Sequence, residues 1–259
     1  MTLVRGVLAI VLLAVPLATF AAPTATEITL GNQAYAEMRA RHELLDDTPE
    51  AAILDPVARK IGAAAGAEYG APFTFYIDRS LVPNAFVVYG PRVYVDRGLV
   101  GFADSQEELA GVICHEVNHV IHRDTMRDDA IEQQYDTNAK KVLSQAHKVT
   151  LGLAPKHTLE GTMLMEQLML LRHSRGVEER ADLAGADLCA HAGINPWGMV
   201  WMFEKLLRYA PSHGMWFLSD HPSSRARIDA LRKHFKSNPA LFAHWSSDES
   251  SSTPLRFTF

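Results

Sequence analysis

Residues 105–124 constrain this chain more than any other stretch. Ser105-Gln-Glu-Glu108 sets a hydroxyl at a helix start and a carboxylate three residues on, the pattern of a capping box. Leu109, Val112, Ile113, Val117, Val120 and Ile121 then supply an apolar surface at helical spacing. That helix carries His115-Glu-Val-Asn-His119. Four residues apart, His115 and His119 share one face, separated by about 6 Å of rise and about 40° of turn. Neutral imidazoles so placed can bind one zinc ion, with Glu116 projecting beside it as a general base. His122 reaches the same face but lies about 10 Å from His115, too far for both to bind one ion at bond lengths near 2 Å. It is therefore expected beside the site or facing solvent.

A catalytic zinc takes three protein ligands and leaves a position for water. The third must come from elsewhere in the chain. Glu178 and Asp182 lie four residues apart on an expected helix within Ser174-Arg-Gly-Val-Glu-Glu-Arg-Ala-Asp182. One carboxylate could bind the metal while the other orients a histidine. Glu179 competes for the ligand role.

Upstream, residues 28–45 read as a helix, and a second helix is expected from Asp55-Pro56 to about Ala67. Phe73–Ile77, Ala85–Tyr89 and Arg92–Val95 are short, β-branched and aromatic, divided by Pro83-Asn84 and Gly90-Pro91. They predict a small sheet with a tight hairpin between the last two strands, closed by Gly98 and Gly101. Downstream, helices dominate to about residue 236, including the Met/Leu-rich segment 163–171. Residues 246–253 are serine-rich and acidic, the composition of a flexible spacer. Residues 255–259 alternate apolar and polar, like a strand that could add to a sheet edge and occupy a cleft.

At the other end, Arg5 is the only charge before an apolar run from Val7 to Leu17, with small residues around Ala21. This reads as a secretory signal peptide over residues 1–21, too short for a membrane span of about 20 residues. A formal net charge of −5 argues against nucleic acid as a partner and gives no attraction to anionic membranes. The cysteines, Cys114 and Cys189, are too few for a disulfide scaffold. A single bridge could form in an oxidising compartment, but Cys189 lies about 16 Å along a helix from Glu178, whereas bridged Cα atoms sit within about 7 Å, so two buried thiols are the expectation.

The His115-Glu-Val-Asn-His119 motif, with Glu178 and Asp182 in a Ser-Arg-x-x-Glu-x-x-Ala-Asp frame, resembles the HtpX- and BepA-like zinc metallopeptidases, gluzincin-type relatives of the prenyl-protein and Oma-type proteases. Pro83-Asn-Ala-Phe86, Arg97-Gly-Leu99 and His221-Pro-x-x-x-x-Arg227-Ile match further segments typical of that family. The resemblance implies that His115, His119 and Glu178 bind one zinc per chain, that Glu116 is the base, and that Asp182 supports a ligand histidine. Arg227 is expected to support the site. It also implies a strand at Asn84, Ala85 and Phe86 bordering a substrate cleft. His221 is expected to approach the metal, favouring a latent state or assisting the transition state, or else only to pack in its loop. Neither the membrane helices nor the helical-repeat domain of those two types is expected here, and the chain is similar to short soluble periplasmic members.

The expectation is an α+β protein. A mainly helical metallopeptidase domain over residues 22–236 would carry a small, mostly antiparallel sheet beside the His-Glu-x-x-His helix, followed by a partly flexible tail over 237–259. Its expected function is zinc-dependent endopeptidase action on unfolded or misfolded envelope proteins in a bacterial periplasm, with no stable membrane span after processing. The alternative is a zinc-containing, chaperone-like binder of misfolded proteins with little or latent proteolysis.

Overall fold

The computed structural model describes residues 22–126, 175–213 and 225–255. The elements run α1 (Ala25–Ala40), β1 (Leu44–Leu45), α2 (Pro49–Tyr69), β2 (Thr74–Asp78), β3 (Ala85–Val87), β4 (Arg92–Asp96), α3 (Arg97–Phe102) and α4 (Gln106–Ile121). After them come α5 (Arg175–His191), α6 (Trp197–His213), α7 (Arg225–Ser237), α8 (Pro239–Phe242) and a 3-10 turn at Glu249–Ser251. Among the described residues the fold is mainly helical with a small four-stranded sheet, as the sequence implies.

The strand order is β1-β2-β4-β3. β3 pairs antiparallel with β4 and β1 antiparallel with β2, while β2 and β4 run parallel. The sheet is therefore mixed. β4 takes a central place because Val93 and Val95 are both fully buried there. Residue alternation sorts the two faces. Phe86, Tyr94 and Tyr76 stand in register on one face and stack at 5.2 and 5.6 Å, and Tyr35 of α1 closes the row at 5.0 Å from Tyr76. Ile77, Val93, Val95 and Ala85 enter the main core with residues of α2 and α4.

Several boundaries move from their sequence positions. The first helix ends at Ala40, because His42 adopts φ +56° and Leu44–Leu45 pairs with β2 instead. α2 begins earlier than expected, where Thr48 Oγ1 accepts the Ala51 amide and Pro49 opens the first turn; Pro56 lies within the helix. Gly98 and Gly101 fall inside α3.

α4 is buried along nearly its whole length between α2, α5, α6 and the sheet. Its polar stripe faces protein rather than water. Gly111 makes the crossing with α6 possible, since a Cβ there would stand 2.6 Å from the Met199 Cα. The serine-rich stretch expected as a spacer is instead hydrogen-bonded to the body. Gln106 N donates to Thr253 O, Thr253 N and Oγ1 donate to Glu107, and Trp201 Nε1 donates to Ser247 O. Phe242 joins the main core, with Leu241, Trp245 and Leu255 packed against it. None of the described helices is long and apolar enough to cross a membrane. The expected signal at 1–21, segment 163–171, His221 and residues 256–259 lie outside the described residues.

Candidate metal centre

α4 starts where its sequence says it should. Ser105 Oγ accepts the Glu108 amide at 3.1 Å, and the Glu108 carboxylate reaches back to the Asp104 amide at 2.6 Å, one residue beyond the usual reciprocal partner. Lys205 of α6 sits over this start, 2.6 Å from Asp104 Oδ2 and 3.5 Å from Glu108 Oε2. The cap fixes the helical phase in which His115, Glu116 and His119 arrive, about three to four turns from Ser105, completely or almost completely buried.

α5 runs alongside α4 and delivers Glu178, also buried, while Glu179 is exposed. His115, His119 and Glu178 each offer a ligand atom within 4.8 Å of the others. The two Nε2 atoms stand 3.0 Å apart, and each lies 3.5 Å from one Glu178 oxygen. Tetrahedral zinc with bonds near 2.0–2.1 Å requires ligand atoms about 3.3 Å apart. The donor set fits one such ion.

The other ring nitrogens fix the tautomers. His115 Nδ1 donates to Asp182 Oδ1 at 2.9 Å and His119 Nδ1 donates to Asp124 Oδ2 at 3.0 Å. With both Nδ1 atoms protonated, both Nε2 lone pairs point at one another, an arrangement that calls for a cation between them. Burial, reinforced by Arg227, lowers the His115 pKa against the opposing pull of Asp182 and Glu178. A depressed pKa favours the neutral ring that metal binding needs.

Each aspartate is held in turn by an arginine. Arg227 of α7 grips Asp182 through Nε and Nη2, both at 2.6 Å, and its Nη1 lies 3.0 Å from Glu178 Oε2. Burial alone would lower the Arg227 pKa, but Asp182, Glu178 and Glu116 hold it above its ordinary value. Arg180 of α5 pairs with Asp124 from the other side. Among the described residues, the carboxylates of Glu116, Glu178, Asp182 and Asp124 thus gather around Arg227 and Arg180.

Asp124 and Arg180 are the residues that sequence reasoning passes over. Arg123 adopts φ +54°, which turns the chain back after α4 so that Asp124 folds onto His119. Arg123 is held there by Glu27 at 2.9 Å and by the Ala22 carbonyl at 3.0 Å. The available signal was an acid one turn beyond the second histidine and an arginine between Glu178 and Asp182. His122 is the C-cap of α4 and stands outside the three-residue cluster. Asn84 precedes β3, which holds buried Ala85 and half-buried Phe86 at the sheet edge next to α4.

The expectation of two free thiols is overturned. Cys114 and Cys189 form a disulfide with Cα atoms 6.0 Å apart. Glu178 does not stand level with Cys114, because its carboxylate also spans to His119, a turn further along α4. α5 then runs back towards the start of α4, and Cys189 arrives beside Ala110, whose carbonyl is 3.4 Å from its Sγ.

The sequence profile of peptidase family M48 matches residues 50–234. A beta-barrel assembly-enhancing protease from Yersinia pestis is 26% identical over 250 residues, covering 88% of this chain and 51% of its own length. The mitochondrial metalloendopeptidase OMA1 of Schizosaccharomyces pombe is 26% identical across 80% of this chain and 60% of its own. The metalloprotease LoiP of Escherichia coli K12 is 27% identical across 79% of this chain and 78% of its own. The chain spans about half the length of the beta-barrel assembly-enhancing proteases it matches. With the profile matched from α2 to α7 and a His/His/Glu cluster at its centre, the chain belongs to peptidase family M48, the zinc metalloendopeptidases.

Proposed function

We propose that this protein is a zinc-dependent endopeptidase that cleaves unfolded or misfolded proteins of the cell envelope. His115 Nε2, His119 Nε2 and the Glu178 carboxylate hold the ion, one per chain. When bound, zinc acidifies a water molecule and polarises a carbonyl. Glu116 takes the proton of the attacking water and returns it to the departing amine nitrogen. Asp182 and Asp124 keep the two imidazoles in the tautomer that presents Nε2, and Arg227 and Arg180 keep the aspartates charged and in place. β3 offers its open edge, beside Asn84, Ala85 and Phe86, to an extended peptide by main-chain pairing, which recognises backbone more than side chains. Such recognition suits an unfolded substrate.

The observation carrying this reading is the convergence of two Nε2 atoms and one carboxylate at 3.0 and 3.5 Å, with Glu116 on the same helix. A site meant only to hold structure has no need of a base next to its first ligand. The cellular setting rests on the relatives' names and on the Cys114–Cys189 bridge, a bond that persists in oxidising compartments. Export through cleavage after Ala21 accords with both.

The test is digestion of unfolded casein by the metal-loaded protein, beside the chelated protein and Glu116→Gln. Cleavage is expected from the first alone, with Glu116→Gln still binding about one zinc. His221→Ala separates a latent site, where the rate rises, from an assisting group, where it falls. A wild type and a His221→Ala variant that both bind zinc and cut nothing would leave the chaperone-like reading in its place.

A further inference from the structure

We infer that the Cys114–Cys189 disulfide is a positioning element of the metal site, which presets Glu178 against the two histidines before any ion arrives. This rests on the ligand assignment proposed above. Cys114 is the residue immediately before His115, and its partner lies on the helix that carries Glu178 and Asp182. The bridge therefore joins the two ligand-bearing helices.

One stripe of α5 makes every relevant contact with α4. Glu178 meets the Nε2 atoms, Asp182 meets His115 Nδ1, and Gly185 lies against the Cys114–His115 peptide. Cys189 then closes the row at Ala110 and Cys114. Spacings of four, three and four keep these residues on a single helical face. At Gly185 a Cβ would stand 3.1 Å from the His115 amide nitrogen, so the helices touch backbone to backbone there. A covalent bond at one end of this stripe fixes the register of α5 along α4. A slip of one residue would move Glu178 by about 1.5 Å and about 100° around its axis, away from both histidines.

The metal-free site has reason to move. Glu116, Glu178, Asp182 and Asp124 bring four buried carboxylates together, and like charges held so close resist the approach of α5 to α4. Packing and Arg227 oppose that opening, and the disulfide forbids it close to His115. With the bridge, the ion meets a formed site. Without it, part of the binding free energy is used to bring the helices together, and affinity falls by the fraction of molecules already closed. Metal loading is thereby coupled to oxidation. The two thiols give up two protons and two electrons as the S–S bond forms, and a disulfide oxidant such as glutathione disulfide takes them up to become two thiols.

Zinc affinity, measured by competition with a chelator, separates this role from simple stapling. The oxidised wild type is expected to bind at least ~10-fold more tightly than Cys114→Ala/Cys189→Ala. Linkage demands the reciprocal effect. In glutathione redox buffers with free zinc held constant, saturating zinc must shift the wild-type thiol–disulfide equilibrium towards the bridge by the ratio of the zinc affinities of the oxidised and reduced wild type. That second measurement needs no variant, so it decides the matter even if the double substitution fails to fold. Equal zinc affinities with only a lowered Tm, or a bridge whose equilibrium ignores zinc, would overturn the inference. If Glu178→Ala binds zinc as tightly as the wild type, the ligand assignment falls and the inference falls with it.

Discussion

Asp182→Asn and Asp124→Asn put the same chemical change behind the two histidines, yet their surroundings predict different costs. Asp182 is gripped by Arg227 through two 2.6 Å hydrogen bonds, and the side chains are 1% and 6% exposed. Asparagine at 182 can still offer one oxygen to His115 Nδ1. Its amide nitrogen must then face the Arg227 Nε donor at the distance of a hydrogen bond, which places donor against donor. Breaking a buried ion pair by removing one partner costs about 3–5 kcal/mol. Because Arg227 keeps Glu178 at 3.0 Å, the lower end, about 3 kcal/mol, is expected. Asp124 is equally buried, but the Arg180 side chain is 37% exposed and regains water when its partner is neutralised. There the expected cost is about 1 kcal/mol.

Zinc affinity should not follow that ranking. Each aspartate holds one imidazole of the proposed site, and loss of such support is expected to cost about 10- to 100-fold in affinity at either position. Urea unfolding of the chelated proteins gives the stability terms, and chelator competition gives the affinities. An Asp182→Asn protein within about 0.5 kcal/mol of the wild type would refute the reasoning, as would equal stability losses at the two positions.

Asp96 is 4% exposed, its Oδ1 finds no hydrogen-bond donor among the described residues, and burial pushes its pKa up to about 8. Its folded pKa lies above the unfolded one, so its contribution to stability is fully present below about pH 4 and is lost as pH rises to about 8. Asp96→Asn should therefore gain a few kcal/mol over the wild type at pH 8 and little at pH 4, in denaturant titrations at both pH values. Gly111→Ala should lose about 1–3 kcal/mol despite alanine's better helix propensity, because the new Cβ meets Met199 backbone at 2.6 Å; thermal unfolding reads it. Reducing Cys114–Cys189, whose partners are 75 residues apart, should cost about 4–5 kcal/mol by loop entropy, measured as a shift of the urea transition with and without reductant.

The chemistry of the site was legible wherever it followed helical phase. His115, Glu116 and His119 occupy one helix, and Glu178 and Asp182 another, so periodicity shows which of them share a face, while the choice of Glu178 over Glu179 came from the family resemblance. The reading weakened wherever two elements had to be placed against each other. β4 entered between β2 and β3 because its valines needed burial on the core face, and nothing local records that choice. Asp124 depends on a positive φ at Arg123, a conformation imposed on a non-glycine residue by partners almost a hundred positions upstream. The disulfide was misjudged for the same reason. Distance along α5 was taken as separation in space, although the direction of α5 beside α4 decides it.

That direction also explains why the site needs three helices rather than two. α4 and α5 together supply both imidazoles, Glu116, the Glu178 carboxylate and Asp182, and bring several buried carboxylates together. Arg180, on α5 itself, answers Asp124 from a half-exposed position. Asp182 and Glu178 lie deeper, both buried. α7 solves this by inserting Arg227, whose guanidinium rests 4.6 Å from the Phe203 ring centroid while its three nitrogens serve both carboxylates. A lysine offers one point charge and lacks this planar fork. Arg227→Lys should accordingly leave either Asp182 or Glu178 poorly held. If Asp182 is the one lost, the change should resemble Asp182→Asn in both unfolding and zinc competition. An Arg227→Lys protein with wild-type zinc affinity would show that charge alone, not the fork, holds the site.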